Sequence, residues 1–357
     1  MKKMGELQHR YSESIAGKKI AVFGPYPPPI GGISIHVQRV IAKMKNQNNN
    51  VHCFHTTAEV RRFFLLYIIK LIAFIFWFRP NEVHYHSTYL YNSLSELRVL
   101  FLLKKFIRFS VLFVEHDCRY IYKKDETFKK KISHFFKDQK IVFIGEITHR
   151  SYSRNNVALP ESISVESSFL PPDKKEEKTV LSTYPKALFE FIHVANPLIV
   201  ANAFQFSLLN GKDLYGCDMC LDLVKNLKKK YPNIRLVFAC AQLGNVDYFK
   251  TLQQTATSFG IQNSIYFLTG NKVLWPLIKR ADVFVRPTLS DSFGISVAEA
   301  LSFGVPAIAS DVCTRPSGTI LFKTGNQEDF FKKVCGVLDK EIMCYQKKEK
   351  QKIYQRV

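Results

Sequence analysis

The stretch DVFVRPTLSDSFGISVAEALSFGVPAIAS, residues 282–310, contains a complete strand–helix–strand unit. The apolar run at 282–288 predicts a buried strand, and the apolar positions of 296–304 recur at helical spacing. A second short apolar run at 306–310 predicts the next strand. Strands that alternate with helices across short loops indicate a parallel sheet covered by helices. The fold class is therefore predicted as α/β.

Two carboxylates flank the start of the predicted helix. Asp291 lies in the loop before it, and Glu299 lies about one turn inside it. Between them, the backbone N–H groups of Phe293, Gly294 and Ile295 lie at the helix N-terminus, where unpaired donors and the helix dipole attract anions. A ligand that joins a sugar, a diphosphate and a ribose would use all three parts: one carboxylate for sugar hydroxyls, the amides for phosphate, the other carboxylate for ribose hydroxyls. The same pattern also fits an acidic first turn that only stabilises a helix.

The alternation of strands and helices fills the chain in two similar halves. Further strands are predicted at 18–24, 51–55, 82–87, 110–117, 140–145, 190–196, 234–241, 264–269 and 319–322. The pattern lapses between Phe169 and Lys186, where proline and charged residues are frequent. We predict an N-terminal Rossmann-like domain at 1–175, a linker at 176–189 and a C-terminal Rossmann-like domain at 190–357, whose last helix could pack back on the first domain. Because ligands of such sheets bind beyond the carboxyl ends of the strands, a cleft between the halves is the expected site.

The charge of the 357-residue chain favours an anionic partner. With 51 Lys and Arg against 30 Asp and Glu, the formal net charge is +21. Nucleic acid, an anionic membrane surface and phosphorylated substrates all fit such an excess. Nucleic acid is disfavoured because the basic residues are not gathered in a recognised binding module.

The N-terminal sequence and the cysteines favour an intracellular protein. The start, MKKMGELQHRYSES, is polar and is followed by no apolar signal region, so a cytoplasmic location is expected. The eight cysteines are scattered, as reduced thiols would be. Cys217 and Cys220 could form half of a zinc site, but no second ligand pair follows at the usual spacing. They share a helical face with apolar residues, which favours packed core thiols.

The segment FFLLYIIKLIAFIFWF, residues 63–78, is strongly apolar. It has 16 residues and contains Lys70, whereas a membrane span needs about 20 apolar residues, so it is too short to cross a bilayer. One interpretation is a buried helix that ends before Pro80. The other is a helix in a bilayer interface, with flanking arginines at the lipid phosphates and aromatic rings in the acyl boundary. These arginines are Arg61, Arg62 and Arg79. Both interpretations can hold for different faces of one helix.

Residues 282–310 resemble the acidic-x7-Glu segment of retaining GT-B glycosyltransferases, the glycosyltransferase group 1 or family 4 class. Four more stretches resemble that family in the same order: GPYPPPIGGISIHV (24–37), RPNEVHYHS (79–87), FVEHD (113–117) and RPSGTILF (315–322). The resemblance spans nearly the full chain. It implies a GT-B fold, in which two Rossmann-like α/β domains face each other across a cleft. It also implies transfer of a sugar from a nucleotide-diphosphate sugar with retention of configuration.

The resemblance further implies roles for individual residues. His116 and Asp291 are the expected catalytic residues, each in contact with the transferred sugar. The expected donor-binding residues are Gly31, Gly32, Lys212, Arg286, Ser292, Phe293, Gly294, Ile295 and Glu299. His116 could instead be a structural histidine at a strand end. His36 is a further candidate, and at most one of His84 and His86 is expected to face the ligand.

Two departures from the family pattern concern charge. The first carboxylate is Asp291, where family members usually have the longer Glu. The Arg that the family tends to carry after the first strand of the C-terminal domain is absent. Only Lys212 is near, so Arg286 or Arg315 is expected to neutralise the diphosphate. The chain contains no Asp-x-Asp sequence, so neither a metal ion nor another cofactor is expected.

The combined features suggest a role in assembling a bacterial surface polysaccharide. A basic protein with an aromatic, amphipathic segment suits an acceptor carried on a lipid diphosphate, as in O-antigen, capsule or lipopolysaccharide synthesis. The expected partners are a nucleotide sugar donor, a lipid-linked glycan acceptor and the anionic inner face of the cell membrane, with no nucleic acid. Two alternatives remain: a degenerate GT-B subunit that binds a nucleotide sugar without turnover, and a basic nucleic-acid-binding protein.

Overall fold

The chain forms two α/β units that divide between Leu170 and Pro171. The computed structural model describes residues 16–28, 31–56, 63–87, 90–116, 125–137, 139–167, 169–291 and 293–339. Residues 340–357 lie outside the described residues, and the expected return of the last helix to the first domain stays a prediction.

The first unit is built on a parallel sheet of six strands. They are β1 (Lys19–Gly24), β2 (Asn50–His55), β3 (Glu82–Ser87), β4 (Ser110–Glu115), β5 (Lys140–Ile144) and β6 (Ile163–Glu166). Its helices are α1 (Gly32–Asn46), α2 (Phe64–Phe78), α3 (Leu90–Leu103), α4 (Glu126–Phe136) and α5 (Glu146–Arg154). The strand order is β2-β1-β3-β4-β5-β6. Because the order reverses between β1 and β3, a crevice for ligands is expected where those strands end.

Side chains of β1 and β3 alternate between two cores on either face of this sheet. Phe23 and Tyr85 face a core that includes residues of α2 and α3, and Val22 faces a core with Val37 and Val40 of α1. This alternation is the period of two that the apolar runs of the sequence predict.

Helix α2 has two faces of different environment. Its buried side chains recur three or four residues apart, as a helix requires, and are Tyr67, Leu71, Ile75 and Phe78. The opposite face is also apolar but is exposed. Its most exposed side chains are Leu65 (74%), Leu66 (51%), Ile69 (54%), Phe76 (47%) and Trp77 (69%). The buried-helix interpretation is therefore confirmed for one face only. In the described part of the chain, none of the helices combines the length and the apolar character that a bilayer crossing requires.

The second unit repeats the architecture with a second six-stranded parallel sheet. Its strands are β7 (Leu198–Phe206), β10 (Arg235–Gly244), β11 (Ile265–Thr269), β12 (Val283–Arg286), β13 (Ala307–Ser310) and β14 (Ile320–Phe322), and a small hairpin is formed by β8 (Leu208–Leu209) and β9 (Lys212–Asp213). Its helices are α6 (Glu177–Ser182), α7 (Lys186–His193), α8 (Cys217–Leu227), α9 (Val246–Ser258), α10 (Trp275–Ile278), α11 (Ile295–Ser302) and α12 (327–339). The strand order β11-β10-β7-β12-β13-β14 is the doubly wound order, and its switch point lies between β7 and β12.

The segment predicted as a linker, 176–189, is helical and belongs to the second unit. Val180, Tyr184 and Leu188, spaced four residues apart, are buried in the core beneath α6 and α7. The frequent proline and charge in this region obscured that helical spacing. The strand predicted at 190–196 is wrong, because α7 runs to His193 and the first strand of the unit is β7.

Cys217 and Cys220 are packed core thiols, as predicted. Both are free and fully buried on α8, in one core with residues of β7 and β10. Burial raises the pKa of each thiol well above its usual range, so neither is a ready thiolate for a metal or an oxidant.

Candidate functional site

The end of β12 lies at the switch point of the second sheet and carries Arg286. In the register of β12 against β7, Val285 pairs with Ala201, which places Arg286 beside Asn202. Nη1 of Arg286 donates to both the carbonyl oxygen and Oδ1 of Asn202, each at 3.0 Å. Oγ of Ser296, in the first turn of α11, donates to the same Oδ1 at 2.9 Å. Asn202, which the sequence analysis did not single out, thus connects the two sides of the crevice.

Asp291 holds two arginines on a single carboxylate oxygen. Its Oδ2 lies 2.6 Å from Nε of Arg286 and 2.7 Å from Nη1 of Arg315. All three side chains are largely buried, with exposures of 11%, 12% and 1% for Arg286, Asp291 and Arg315. Burial alone would raise the pKa of Asp291, but the two guanidinium groups outweigh it and hold that pKa well below its usual range. Two positive charges against one negative charge leave the cluster with an excess of one positive charge.

Arg315 is fixed on its other sides by Ser310 at the end of β13 and by Thr288, which follows β12. Its Nε donates to the carbonyl oxygen of Ser310 at 3.0 Å, and its Nη2 donates to Oγ1 of Thr288 and Oγ of Ser310, each at 3.1 Å. A guanidinium that is bonded on every side in this way is held in one orientation. We refer to Arg286, Asp291 and Arg315 below as the Arg–Asp–Arg cluster.

Gly294 allows the cluster to lie against the start of α11. It caps the helix at φ +85°, in the left-handed region that favours glycine. A Cβ atom at this position would lie 2.8 Å from Nη1 of Arg315. Glycine at position 294 therefore permits both the left-handed backbone conformation and the close approach of Arg315.

Helix α11 carries the second carboxylate of the motif. Glu299 is 6% exposed, one turn beyond Ile295, the first residue of the helix. Phe293 and Ile295 are half-buried, and Ser292 lies outside the described residues. A carboxylate buried within one turn of a helix N-terminus has the placement that the sequence analysis predicted for a ligand of hydroxyl groups.

The hairpin β8–β9 places Lys212 next to a carboxylate that the sequence analysis missed. Asp213 is buried and accepts backbone N–H groups at 2.9–3.3 Å and a tyrosine hydroxyl at 2.8 Å. The donors are Tyr215, Gly216, Cys217, Asp218 and Tyr248. The Lys212 side chain is exposed. An aspartate shortly before a helix is a capping signal, and this signal could have identified Asp213.

In the first unit, three histidines meet where β3 and β4 end. Nδ1 of His86 lies 2.9 Å from Nε2 of His116, and the ring of His36 on α1 is centred 5.0 Å from that of His116. Burial, with the neighbouring histidines, lowers the pKa of His86 and of His116 well below the usual range. His116, one of the two predicted catalytic residues, therefore lies beside a second ring, His86, whose pKa is lowered in the same way.

His84 lies on the same face of β3 as His86. The expectation that at most one of them faces the ligand side rested on opposite orientations and is wrong, because residues two apart on a strand share a face. Nε2 of His84 lies 3.4 Å from Oε1 of Glu82, which also shares that face. This contact, with Lys18, lowers the pKa of Glu82 to about 2 despite partial burial.

The structure distributes the predicted residues between the two units. Gly31 caps α1 and Gly32 begins it, so both lie in the first unit with His116. Arg286, Asp291 and Gly294 come together in the second unit, with Lys212 on the neighbouring hairpin. Both arginines that were considered as replacements for the missing family Arg contact Asp291.

The comparison with known families agrees with the position of this cluster. Residues 208–354 match glycosyl transferases group 1. The matched segment contains the whole Arg–Asp–Arg cluster and Glu299, and it covers less than half of the chain.

Curated proteins that are similar in sequence are also glycosyltransferases, and each matches only a short segment of this chain. A glycosyltransferase of Methanocaldococcus jannaschii is 32% identical over 92 residues, which are 26% of this chain and 22% of that protein. The lipopolysaccharide glucosyltransferase WaaG of Escherichia coli is 24% identical over 98 residues, which are 28% of this chain and 25% of that protein. The matched region thus spans about a quarter of the length of these curated relatives.

Solved structures are similar over almost the full chain. A glycosyltransferase from Rickettsia africae has a TM-score of 0.64 at 13% identity and covers 90% of this chain and 88% of its own. Anabaena HepE, in complex with UDP and glucose, has a TM-score of 0.59 at 15% identity and covers 92% of this chain and 91% of its own. Identities this low show the fold alone, and the fold is GT-B. The predicted fold class, with two Rossmann-like domains, is confirmed.

Proposed function

We propose that this chain is a glycosyltransferase that moves a sugar from a nucleoside diphosphate sugar to an acceptor, with retention of the anomeric configuration. The observation that carries the proposal is the Arg–Asp–Arg cluster at the switch point between β7 and β12, next to the start of α11. The cluster lies within the segment that matches glycosyl transferases group 1.

The cluster suits a diphosphate leaving group. When the sugar–oxygen bond breaks, negative charge develops on the diphosphate, and fixed positive charge nearby lowers the barrier. Arg286 and Arg315 supply an excess positive charge and are already held in place by Asp291 and by strand-end oxygens. The N-terminal amides of α11 add a second site for phosphate oxygens. Glu299 accepts the ribose hydroxyls, and Lys212 provides a mobile charge beside the site.

The state of Asp291 supports front-face transfer rather than a covalent intermediate. A carboxylate with a lowered pKa and two arginines on one oxygen is a weak nucleophile, because its charge is already neutralised. Asp291 instead orients the arginines and accepts sugar hydroxyls. The acceptor hydroxyl then attacks on the face that the diphosphate leaves, and His116 contacts the sugar.

The acceptor is proposed to be a lipid-linked glycan of a bacterial surface polysaccharide, such as O-antigen, capsule or lipopolysaccharide. The name of WaaG, a lipopolysaccharide glucosyltransferase, supports this assignment. So does the exposed apolar face of α2, because a soluble helix normally presents polar residues to water. Lys70 lies at the edge of that face and Arg79 follows the helix, and both are exposed. We propose that this face lies in the headgroup region of the anionic inner leaflet and keeps the cytoplasmic enzyme near its acceptor.

The test begins with donor binding, measured by calorimetry with UDP and other nucleoside diphosphates. HepE has been crystallised with UDP and with UDP-glucose, so UDP-sugars come first in the panel. Glu299→Gln should weaken nucleoside diphosphate binding about tenfold or more, since a bond to a charged acceptor contributes about 1.5–3 kcal/mol. The matched control is Glu328→Gln, because Glu328 is an exposed glutamate of the same unit and forms an ion pair with the exposed Lys332.

Transfer is then measured with each nucleotide sugar that binds, and the product configuration is read by NMR. Retention with a lipid-linked acceptor supports the full proposal. An unchanged dissociation constant for Glu299→Gln would show that Glu299 is not the ribose ligand. Binding of nucleotide sugars without transfer or hydrolysis would instead favour the degenerate subunit, an alternative to which the shorter Asp291 gives some support.

A further inference from the structure

His36, His86 and His116 bring three ring nitrogens close together at the switch point of the first sheet. One nitrogen from each ring can be chosen so that all three lie within 4.8 Å of one another. His36 and His86 are each 2% exposed, and His116 is half-buried. The rings come from three separate elements: α1, the end of β3 and the residue that follows β4.

We propose that these three histidines form a binding site for a transition-metal ion, with Zn²⁺ as the best fit. Imidazole nitrogens favour Zn²⁺, Cu²⁺ and Ni²⁺ over the oxygen-seeking Mg²⁺ and Ca²⁺. Three protein ligands with a fourth, open position are the ligand set of many zinc centres. The site is separate from the Arg–Asp–Arg cluster but shares His116 with the proposed sugar contact. Metal binding is measured without sugar transfer, so a failure of this proposal and a failure of the proposed function can be told apart.

Two of the three nitrogens are already close to the separation that a metal ion requires. Zinc–nitrogen bonds of about 2.0–2.1 Å at a tetrahedral angle place ligand nitrogens about 3.3 Å apart. Nδ1 of His86 and Nε2 of His116 are now 2.9 Å apart and share a hydrogen bond. The metal would replace that bond, and the shared ring proton would move to the other nitrogen of the same imidazole. Both rings then stay neutral, and no proton has to leave the protein.

The surroundings constrain the positions of His86 and His116. Gly24, at the end of β1, leaves room for His86, since a Cβ at that position would lie 3.0 Å from Cβ of His86. His116 is fixed by its backbone N–H, which donates to the carbonyl oxygen of Ser87 at 3.3 Å.

Titration of the chelator-treated full chain with Co²⁺ tests the site, because tetrahedral Co²⁺ bound by imidazoles absorbs visible light. We expect one equivalent of Co²⁺ to give this absorption and one equivalent of Zn²⁺ to remove it, with no effect of Mg²⁺. Zn²⁺ should also raise the melting temperature, since a ligand that binds only the folded state stabilises it. His36→Gln and His116→Gln should each weaken Zn²⁺ binding at least tenfold. The control His193→Gln, at an exposed histidine of the second unit, should bind like the parent.

His36→Gln and His116→Gln change different elements of the fold. Each is checked for folding by circular dichroism without metal. If one fails to fold, the other and the parent's melting temperature still decide. The proposal is overturned if the parent shows no visible absorption with Co²⁺. It is equally overturned if folded His36→Gln and His116→Gln bind Zn²⁺ as tightly as the parent, because the metal would then be bound adventitiously elsewhere.

Discussion

At Gly294 a side chain would meet two obstacles, a left-handed backbone conformation and a steric clash. Gly304 has the backbone conformation without the clash, so comparing the two positions separates the effects. Both have positive φ, +85° and +75°, but a Cβ at Gly304 would meet no atom within 4 Å, whereas one at Gly294 would press on Arg315. Gly304→Ala should therefore cost only the left-handed strain, about 1–2 kcal/mol. Gly294→Ala should cost more, because the buried guanidinium of Arg315 must move. The measurement is the free energy of unfolding in urea at an unchanged slope.

An equal decrease in the free energy of unfolding for Gly294→Ala and Gly304→Ala would contradict this explanation. That result would mean that Arg315 can shift at no cost, and the Arg–Asp–Arg cluster would not be the rigid, preorganised charge that the proposed mechanism uses.

Asp291 should make the stability of the second unit depend on pH. Its pKa in the folded protein is held below the ordinary value, so its ionisation stabilises the fold above about pH 4 and this contribution is lost as the pH falls further. Asp291→Asn should remove that contribution and should lower stability at pH 7 by about 3–5 kcal/mol, because two buried arginines lose their partner. The melting temperature of parent and variant, followed from pH 7 to pH 3, should differ most at neutral pH and converge in acid.

The exposed pair of Asp339 and Lys230 provides the control. Its side chains are 45% and 56% exposed, so Asp339→Asn should change stability far less than Asp291→Asn does. A constant difference between Asp291→Asn and the parent across the whole pH range would show that the carboxylate charge is not what stabilises the cluster.

Single residues of this site were predictable from the sequence, but their pairing was not. Asp291 and Glu299 follow from a strand end and a helical spacing within one short segment. Arg315 reaches Asp291 from a loop 24 residues later, after another strand, and no local pattern encodes that approach. The same limit applies to the histidines, because α1, β3 and β4 converge only in the folded sheet.

At the scale of elements, α7 shows where pattern analysis fails. The run around FEFIHVAN is short and apolar, and such a run fits a strand as well as a helix. Tertiary structure decides between them: Leu188 is buried at the spacing that continues from Val180 and Tyr184, and the strand starts only after Pro197. For helix α2 the sequence left open which face is buried, because apolar residues occur on all sides of the helix.

The exposed face of α2 leads to a prediction for membrane binding. The parent should sediment with anionic vesicles, with a part of its binding that high salt does not remove, since the apolar contact is not screened. Replacing both Phe76 and Trp77 by Ser should weaken that salt-resistant part and leave the fold intact, because these rings are 47% and 69% exposed. Sedimentation at low and high salt, with thermal unfolding of both proteins, measures the two effects.

A matched double variant, Val194→Ser with Leu321→Ser, tests whether any loss of apolar surface has the same effect. These side chains are 50% and 45% exposed and lie in the second unit. A folded Phe76→Ser/Trp77→Ser protein that binds vesicles as tightly as the parent at every salt concentration would show that this face does not meet lipid. Unfolding of that variant would mean that the rings are core residues, whose loss costs about 3–5 kcal/mol.

At the scale of the whole molecule, the sequence predicted two parallel α/β units but not the order of their strands. Alternating apolar runs identify a parallel sheet because such strands are buried on both faces. The order depends on which crossover helix packs on which side, and that choice is made by contacts distant in sequence. The strand order is what places the Arg–Asp–Arg cluster at one switch point and the histidines at the other.

The last prediction concerns metal dependence of the whole enzyme. Sugar transfer should persist in EDTA, because the leaving diphosphate is stabilised by Arg286, Arg315 and the amides of α11, and the chain has no Asp-x-Asp sequence. Adding back Mg²⁺ or Zn²⁺ separately distinguishes two sources of any loss. Activity that EDTA abolishes and Mg²⁺ or Mn²⁺ restores would show that a metal ion neutralises the diphosphate, against the role given to the arginines. Activity that only Zn²⁺ restores would also contradict metal-independent transfer, and it would point to the histidines of the first unit as the source of the metal dependence.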